Sequence, residues 1–190
     1  MKILQLAAAL ALGVVAPSVV LAQCPAVGDA TAGCDIVITV TNSGTTIAAG
    51  PSIGIAGGTY DGSDDTLIGI VNNSSNPFSS INLSSSTDIF GFEGDGIDTF
   101  GVTGNSSDTT GYGGPDSFFT GINGSATSGT VNFVTALAAN GGNTYFSLEE
   151  ALTPSQITVG GATPEPSTLL LFGTGALGLA GALRRRIFKK

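Results

Sequence analysis

Asp35-Ile36-Val37-Ile38-Thr39-Val40 is the stretch that decides the fold class of this chain. Ile36, Ile38 and Val40 recur at a period of two and form one face, with Val37 the single apolar interruption on the other. β-Branched side chains dominate the run, and they suit a pleated, half-buried strand. Outward from it, similar runs lie at Thr66–Val71, Ser80–Leu83, Asp88–Phe92, Ile97–Val102, Ser117–Ile122, Thr130–Val134, Thr144–Leu148 and Ile157–Val159. Asn72–Pro77, Gly94–Gly96 and Ala139–Asn143 supply turn residues between them. This pattern predicts a mainly β, antiparallel sandwich-like domain. Only Phe133–Ala139 and Leu148–Leu152 have the composition for brief helical turns. Gly, Ser, Thr and Asn fill 21 of the 30 positions from 101 to 130, which reads as long loops. Phe118 and Phe119 anchor them. If that pair lies in a strand, one ring faces inward and the other outward.

Charge is partitioned sharply along the sequence. The basic residues are Lys2, Arg184, Arg185, Arg186, Lys189 and Lys190, and there is no histidine. Of the 14 acidic residues all but Glu165 fall within residues 23–163, so that region carries carboxylates and no side-chain cation. Nucleic acid is excluded as a partner, because phosphate binding needs Lys and Arg. Nucleophile–base pairs and phosphate clamps lack their basic member, so no enzyme activity is expected. Two-carboxylate glycoside hydrolysis is the one reaction class the composition leaves open. Recurrent Phe, Tyr, Ile and Val argue for an ordered core against a loose, Gly/Ser-rich chain.

Both ends read as membrane-targeting segments. Residues 1–22 have a basic start, an apolar stretch, Pro17, and small residues at Val20 and Ala22. They predict a secretory signal peptide cleaved before Gln23, with an uncleaved anchor as the alternative. Export would place Cys24 and Cys34, the only cysteines, in an oxidising compartment, where a disulfide is expected. A catalytic thiol is the alternative, but it lacks a basic neighbour. Ser167–Leu183 carries no charge and stops at Arg184-Arg185-Arg186. It predicts a single C-terminal transmembrane helix over residues 168–183 and a cytoplasmic tail over 184–190, with a buried soluble helix as the alternative. Residues 23–160 then form the extracytoplasmic β domain and 161–167 a linker.

Pro164-Glu165-Pro166, the Gly-rich apolar segment and Arg184-Arg185-Arg186 together resemble the PEP-CTERM sorting signal of exosortase substrates. The resemblance implies recognition at Pro164, Glu165 and Pro166 by a membrane protease-transpeptidase, the exosortase, which removes the C-terminal helix. It also implies a Gram-negative setting with exopolysaccharide production; signal peptidase, expected from residues 1–22, is the other processing partner. Membrane attachment would precede processing, and the mature domain would reach the cell surface or extracellular matrix. Tyr60–Leu67, Asp88–Asp98, Gly113–Phe119 and Tyr145–Glu149 resemble the ectodomain of a PEP-CTERM subgroup that has no assigned activity.

Two acidic turns are candidate cation sites. Asp61, Asp64 and Asp65 form one, and Glu93, Asp95 and Asp98 the other. Calcium takes oxygen ligands, and Gly62, Gly94 and Gly96 allow the tight turns that bring them together. The alternative is two solvated acidic turns, since neither cluster has the spacing of a known calcium loop. No other cofactor is expected. The sequence thus points to an exported, non-enzymatic surface or matrix protein associated with exopolysaccharide or biofilm. The alternative is a calcium-stabilised carbohydrate-binding or adhesin-like module, with Tyr60, Tyr112 and Tyr145 as candidate sugar contacts.

Overall fold

The computed structural model describes residue 24 and residues 33–53, 64–94, 96–97 and 110–164. They form two β-sheets. The first orders β2 (Gly44–Ala49), β1 (Ile36–Thr41), β3 (Thr66–Asn72) and β8 (Gly142–Leu148). The second orders β10 (Thr163–Pro164), β4 (Phe78–Ser85), β7 (Ser128–Leu137), β6 (Ser117–Thr120) and β5 (Gly113–Gly114). β9 (Ile157–Val159) also pairs with β4, so β9 and β10 cover one edge of that strand in succession. Pairing is antiparallel except between β1 and β3, which run parallel in the register Ile36↔Ile68 to Val40↔Asn72. The expected antiparallel order fails there for a topological reason. The β1–β2 hairpin puts β2 on one side of β1, and the chain returns through residues 50–65 to the other side.

One core lies between the sheets. Ile36, Ile38, Ile68, Ile70, Phe146 and Leu148 come from the first sheet, and Ile81, Leu83, Phe119, Val131 and Phe133 from the second. The alternation seen in the sequence is realised in β1, whose Ile36, Ile38 and Val40 are buried while Val37 and Thr39 are half-buried. β3 is buried along its whole length. Its second face is covered because Leu67 packs with Ile97, Cys24 and Tyr145. The Cys24–Cys34 disulfide ties that covering segment to the start of β1. β5 closes against β8 through Gly114, where a Cβ atom would strike the Tyr145 carbonyl.

Several local expectations are corrected. Phe133–Ala139 contains no helical turn; Phe133–Leu137 completes β7, whose Leu137 pairs with Phe78. The 101–130 region holds β5, β6 and the start of β7, so it is not simply loop. Asp88–Phe92 is not a strand. The Asp88 carboxylate accepts the Phe90 N–H at 3.2 Å, and Ile89 and Phe90 both donate backbone N–H to Ala126 O at 3.1 Å. The side-chain turn diverts the backbone from a ladder, and the segment instead plugs the core with Ile89 and Phe90. Of the expected strand 97–102 only Ile97 is described, and it is not in a strand. The signal peptide, the helix 168–183 and the tail 184–190 lie outside the described residues. Among the described residues no helix is long and apolar enough to cross a membrane.

Candidate functional site

The buried carboxylates gather at one end of the four-stranded sheet. β1 and β3 begin there and β8 ends there. Asp65 precedes β3, Glu149 follows β8, and the register Thr66↔Leu148 brings them face to face. Asp64, half-buried, joins Asp65 and Glu149, both buried, and their carboxylate oxygens lie within 4.8 Å of one another. Backbone ties hold the geometry. Thr66 Oγ1 donates to Glu150 O at 2.6 Å and accepts Leu152 N–H at 2.8 Å, and Glu149 N–H reaches Ile89 O at 3.3 Å. Asp35 lies at the start of the adjacent β1, where its Oδ2 accepts Leu67 N–H at 2.7 Å. Burial pushes its carboxyl up to about 6, against the opposing pull of that hydrogen bond.

The structure thus keeps Asp64 and Asp65 together and adds Glu149, which the sequence reading assigned no role. Glu149 lies 84 residues from Asp65, and only the β3–β8 register makes them neighbours. Asp61, Asp95 and Asp98 lie outside the described residues, and Glu93 is exposed on the loop after Phe92. Three close carboxylates in a region without Lys, Arg or His form an all-oxygen donor set, which suits a hard divalent cation. Of the candidate sugar-contacting tyrosines, Tyr112 packs on Phe92 with ring centroids 4.9 Å apart, and Tyr145 packs against Leu67 and Ile97. Both are half-buried parts of the packing, and Tyr60 lies outside the described residues.

The opposite end of the four-stranded sheet carries an uncharged polar network. Asn72 donates through Nδ2 to Asn76 O and Leu137 O, while its Oδ1 accepts from Ser74 N–H and Oγ. A cavity of about 440 Å³ opens beside this network, lined by residues including Thr41, Asn42, Asn76, Phe78 and Ala162. β10 lies at this end, where Thr163 pairs with Ser80 and Pro164 with Phe78. Residues 162–186 match the PEP-CTERM protein-sorting motif. The PEP-CTERM segment therefore begins inside the second sheet, and its first proline belongs to β10. Glu165, Pro166 and Arg184–Arg186 lie outside the described residues. The motif marks an exported, surface-destined chain and implies processing by an exosortase. Comparison with curated proteins and with solved structures found no match.

Proposed function

We propose that this chain is a non-catalytic surface or extracellular-matrix protein, exported through its N-terminal signal and released by exosortase cleavage in a setting of exopolysaccharide or biofilm. The PEP-CTERM match over residues 162–186 carries this reading. The mainly β domain, acidic and without side-chain cations between Lys2 and Arg184, supports a structural or binding role over a catalytic one. Before processing, residues 168–183 anchor the chain in the membrane, with Arg184, Arg185 and Arg186 on the cytoplasmic side. Intact-mass analysis tests the reading. The product from cells with an active exosortase should begin at Gln23 and lack residues 168–190, and cells without the exosortase should retain the C-terminal segment. Full-length chain persisting in both would overturn the proposal.

A second reading, a calcium-stabilised binding or adhesin-like module, is favoured by the convergence of Asp64, Asp65 and Glu149 within 4.8 Å. A single site at a hundredfold excess of ion over Kd adds about 2.7 kcal/mol. Millimolar calcium should then raise the melting temperature more than magnesium at equal ionic strength, and Asp65→Asn or Glu149→Gln should remove the difference. An equal shift with matched sodium chloride would reduce the effect to screening.

A further inference from the structure

We propose that the outer face of the six-stranded sheet is the docking surface for a neutral, hydroxyl-rich polysaccharide. The inference rests on the matrix reading above and names the partner and the surface. In β4, β6 and β7 the residues that alternate with the core positions Ile81, Leu83, Phe119, Val131 and Phe133 point away from the core. They are Ser80, Asn82 and Ser84 on β4, Phe118 and Thr120 on β6, and Ser128, Thr130, Asn132 and Val134 on β7. None is charged, although the 23–163 region holds all but one of the chain's 14 acidic residues. The strand register sets these side chains in rows: Ser84 beside Ser128, Asn82 beside Thr130 and Thr120, and Ser80 beside Asn132 and Phe118.

The rows are cross-linked. Thr130 Oγ1 donates to Asn82 Oδ1 at 2.8 Å, and Asn132 Nδ2 donates to Thr120 Oγ1 at 2.8 Å. The first bond fixes the Asn82 amide with its two N–H groups as donors, so the surface is organised before any ligand arrives. A hollow of about 310 Å³ opens over the same strands, lined by residues including Asn82, Ser84, Gly121, Ser128, Thr130 and Thr158. That is the lower end of the ~300–1,000 Å³ range of small-ligand sites, a size for one sugar ring. Phe118 lies one row away, half-buried, and its neighbour across the strand is Gly113, which has no side chain to cover the ring. An aromatic face beside uncharged donors and acceptors matches a sugar, which presents C–H faces and hydroxyl edges. Charge selects among polymers. This face and the whole 23–163 region offer no Lys, Arg or His to pair with an anionic glycan or a nucleic acid, and a neutral chain needs none.

The test probes the exported, processed protein with neutral glucan and mannan oligosaccharides and the neutral fraction of the producing cells' exopolysaccharide. Alginate, hyaluronan and the anionic fraction serve as the opposed probes. Saturable binding to a neutral probe is expected, unchanged between low and high sodium chloride. Asn82→Lys, Thr130→Lys and Thr158→Lys should each weaken it tenfold or more, while Ser43→Lys, in the β1–β2 turn, should leave it unchanged. Thr158 is exposed on β9, so Thr158→Lys keeps the test valid if a β4 or β7 variant misfolds. The proposal is overturned by no binding to any neutral probe, by binding to anionic probes alone, or by binding that folded lysine variants leave intact. Fractionation separates this failure from that of the wider reading. Wild-type protein that co-purifies with the matrix while failing the glycan test keeps the matrix role and loses this surface, whereas protein that never reaches the matrix loses the role itself.

Discussion

Asp35 is 5% exposed, and no Lys, Arg or His between Lys2 and Arg184 is available to neutralise it. Its folded carboxyl holds the proton up to about pH 6, whereas the unfolded chain releases it near 3.8. The folded state therefore binds more protons between those values, and stability falls as pH rises through 6. The contribution is complete below pH 3.8 and has a ceiling of about 3 kcal/mol at 1.36 kcal/mol per pKa unit. Asp35→Asn keeps an oxygen acceptor for Leu67 N–H and removes the ionisable group. Urea unfolding at pH 4, 5, 6 and 7 should show the variant more stable than wild type at pH 7, with the gap closing toward pH 4. Asp64, Asp65, Glu149 and Glu150 lie at the same end and are the same in both proteins, so the difference between the two curves isolates Asp35. A variant less stable at pH 7 would show that the ionised carboxylate is needed. Thr66 offers a second single-residue test, because its hydroxyl is buried and both donates and accepts. Thr66→Val leaves Glu150 O and Leu152 N–H without that partner, and a loss of about 1–3 kcal/mol is expected in the same assay.

Strand alternation is most visible in β6, where adjacent rings have opposite fates. Phe119 is fully buried, stacks on Phe92 at 5.7 Å and meets Phe90 and Phe146 edge-on at 5.0 and 6.1 Å. Phe118 is half-buried on the outer face. Phe119→Ala should cost about 3–5 kcal/mol, and Phe118→Ala under about 1 kcal/mol; equal losses in thermal unfolding would refute this orientation. The sequence carried this much because period-two alternation is a local signal, and it marked β1, β3, β6, β8 and β9 with only small errors at their ends. It did not carry β2, whose Gly-Thr-Thr-Ile-Ala-Ala run is mostly exposed and so lacks an apolar face. Nor did it carry β5, two glycines that are held only by tertiary pairing. Asp88–Phe92 misled because its aromatic and β-branched residues are buried as loop plugs, which periodicity cannot distinguish from strand burial. The acidic cluster was half legible. Asp64 and Asp65 are adjacent in the chain, whereas Glu149 joins them only through the long-range β3–β8 register.

The four-stranded sheet is polarised along its strands. Asp35, Asp64, Asp65, Glu149 and Glu150 lie at one end, and β10 lies at the other, beside the neutral Asn72 network. β3 alone has seven residues, which at about 3.3 Å each separates the two ends by roughly 23 Å. That exceeds the Debye length of about 8 Å at physiological ionic strength, so those five carboxylates act little on charges near β10. The last two strands have a structural duty. Ile157, 4% exposed, belongs to the core, and β9 and β10 cover the edge of β4 with Gly160 N–H donating to Asn82 O between them. A sorting cut beyond residue 166 leaves this cover in place, so the processed product should melt at the temperature of the unprocessed domain. Ending the chain at residue 156 strips both strands, removes a buried isoleucine and bares β4 as an unpaired edge. Losing Ile157 alone removes about 2–5 kcal/mol, and at a few degrees per kcal/mol for a domain of this size the melting temperature should fall by roughly 10 °C. The bared edge should also drive self-association, which light scattering coupled to gel filtration would detect. A chain ending at residue 162 loses only the β10 pairing and should fall between the two. Equal melting temperatures for chains ending at 156 and 166 would mean that the C-terminal strands are ornaments on the sheet, and that the sorting segment begins outside the fold.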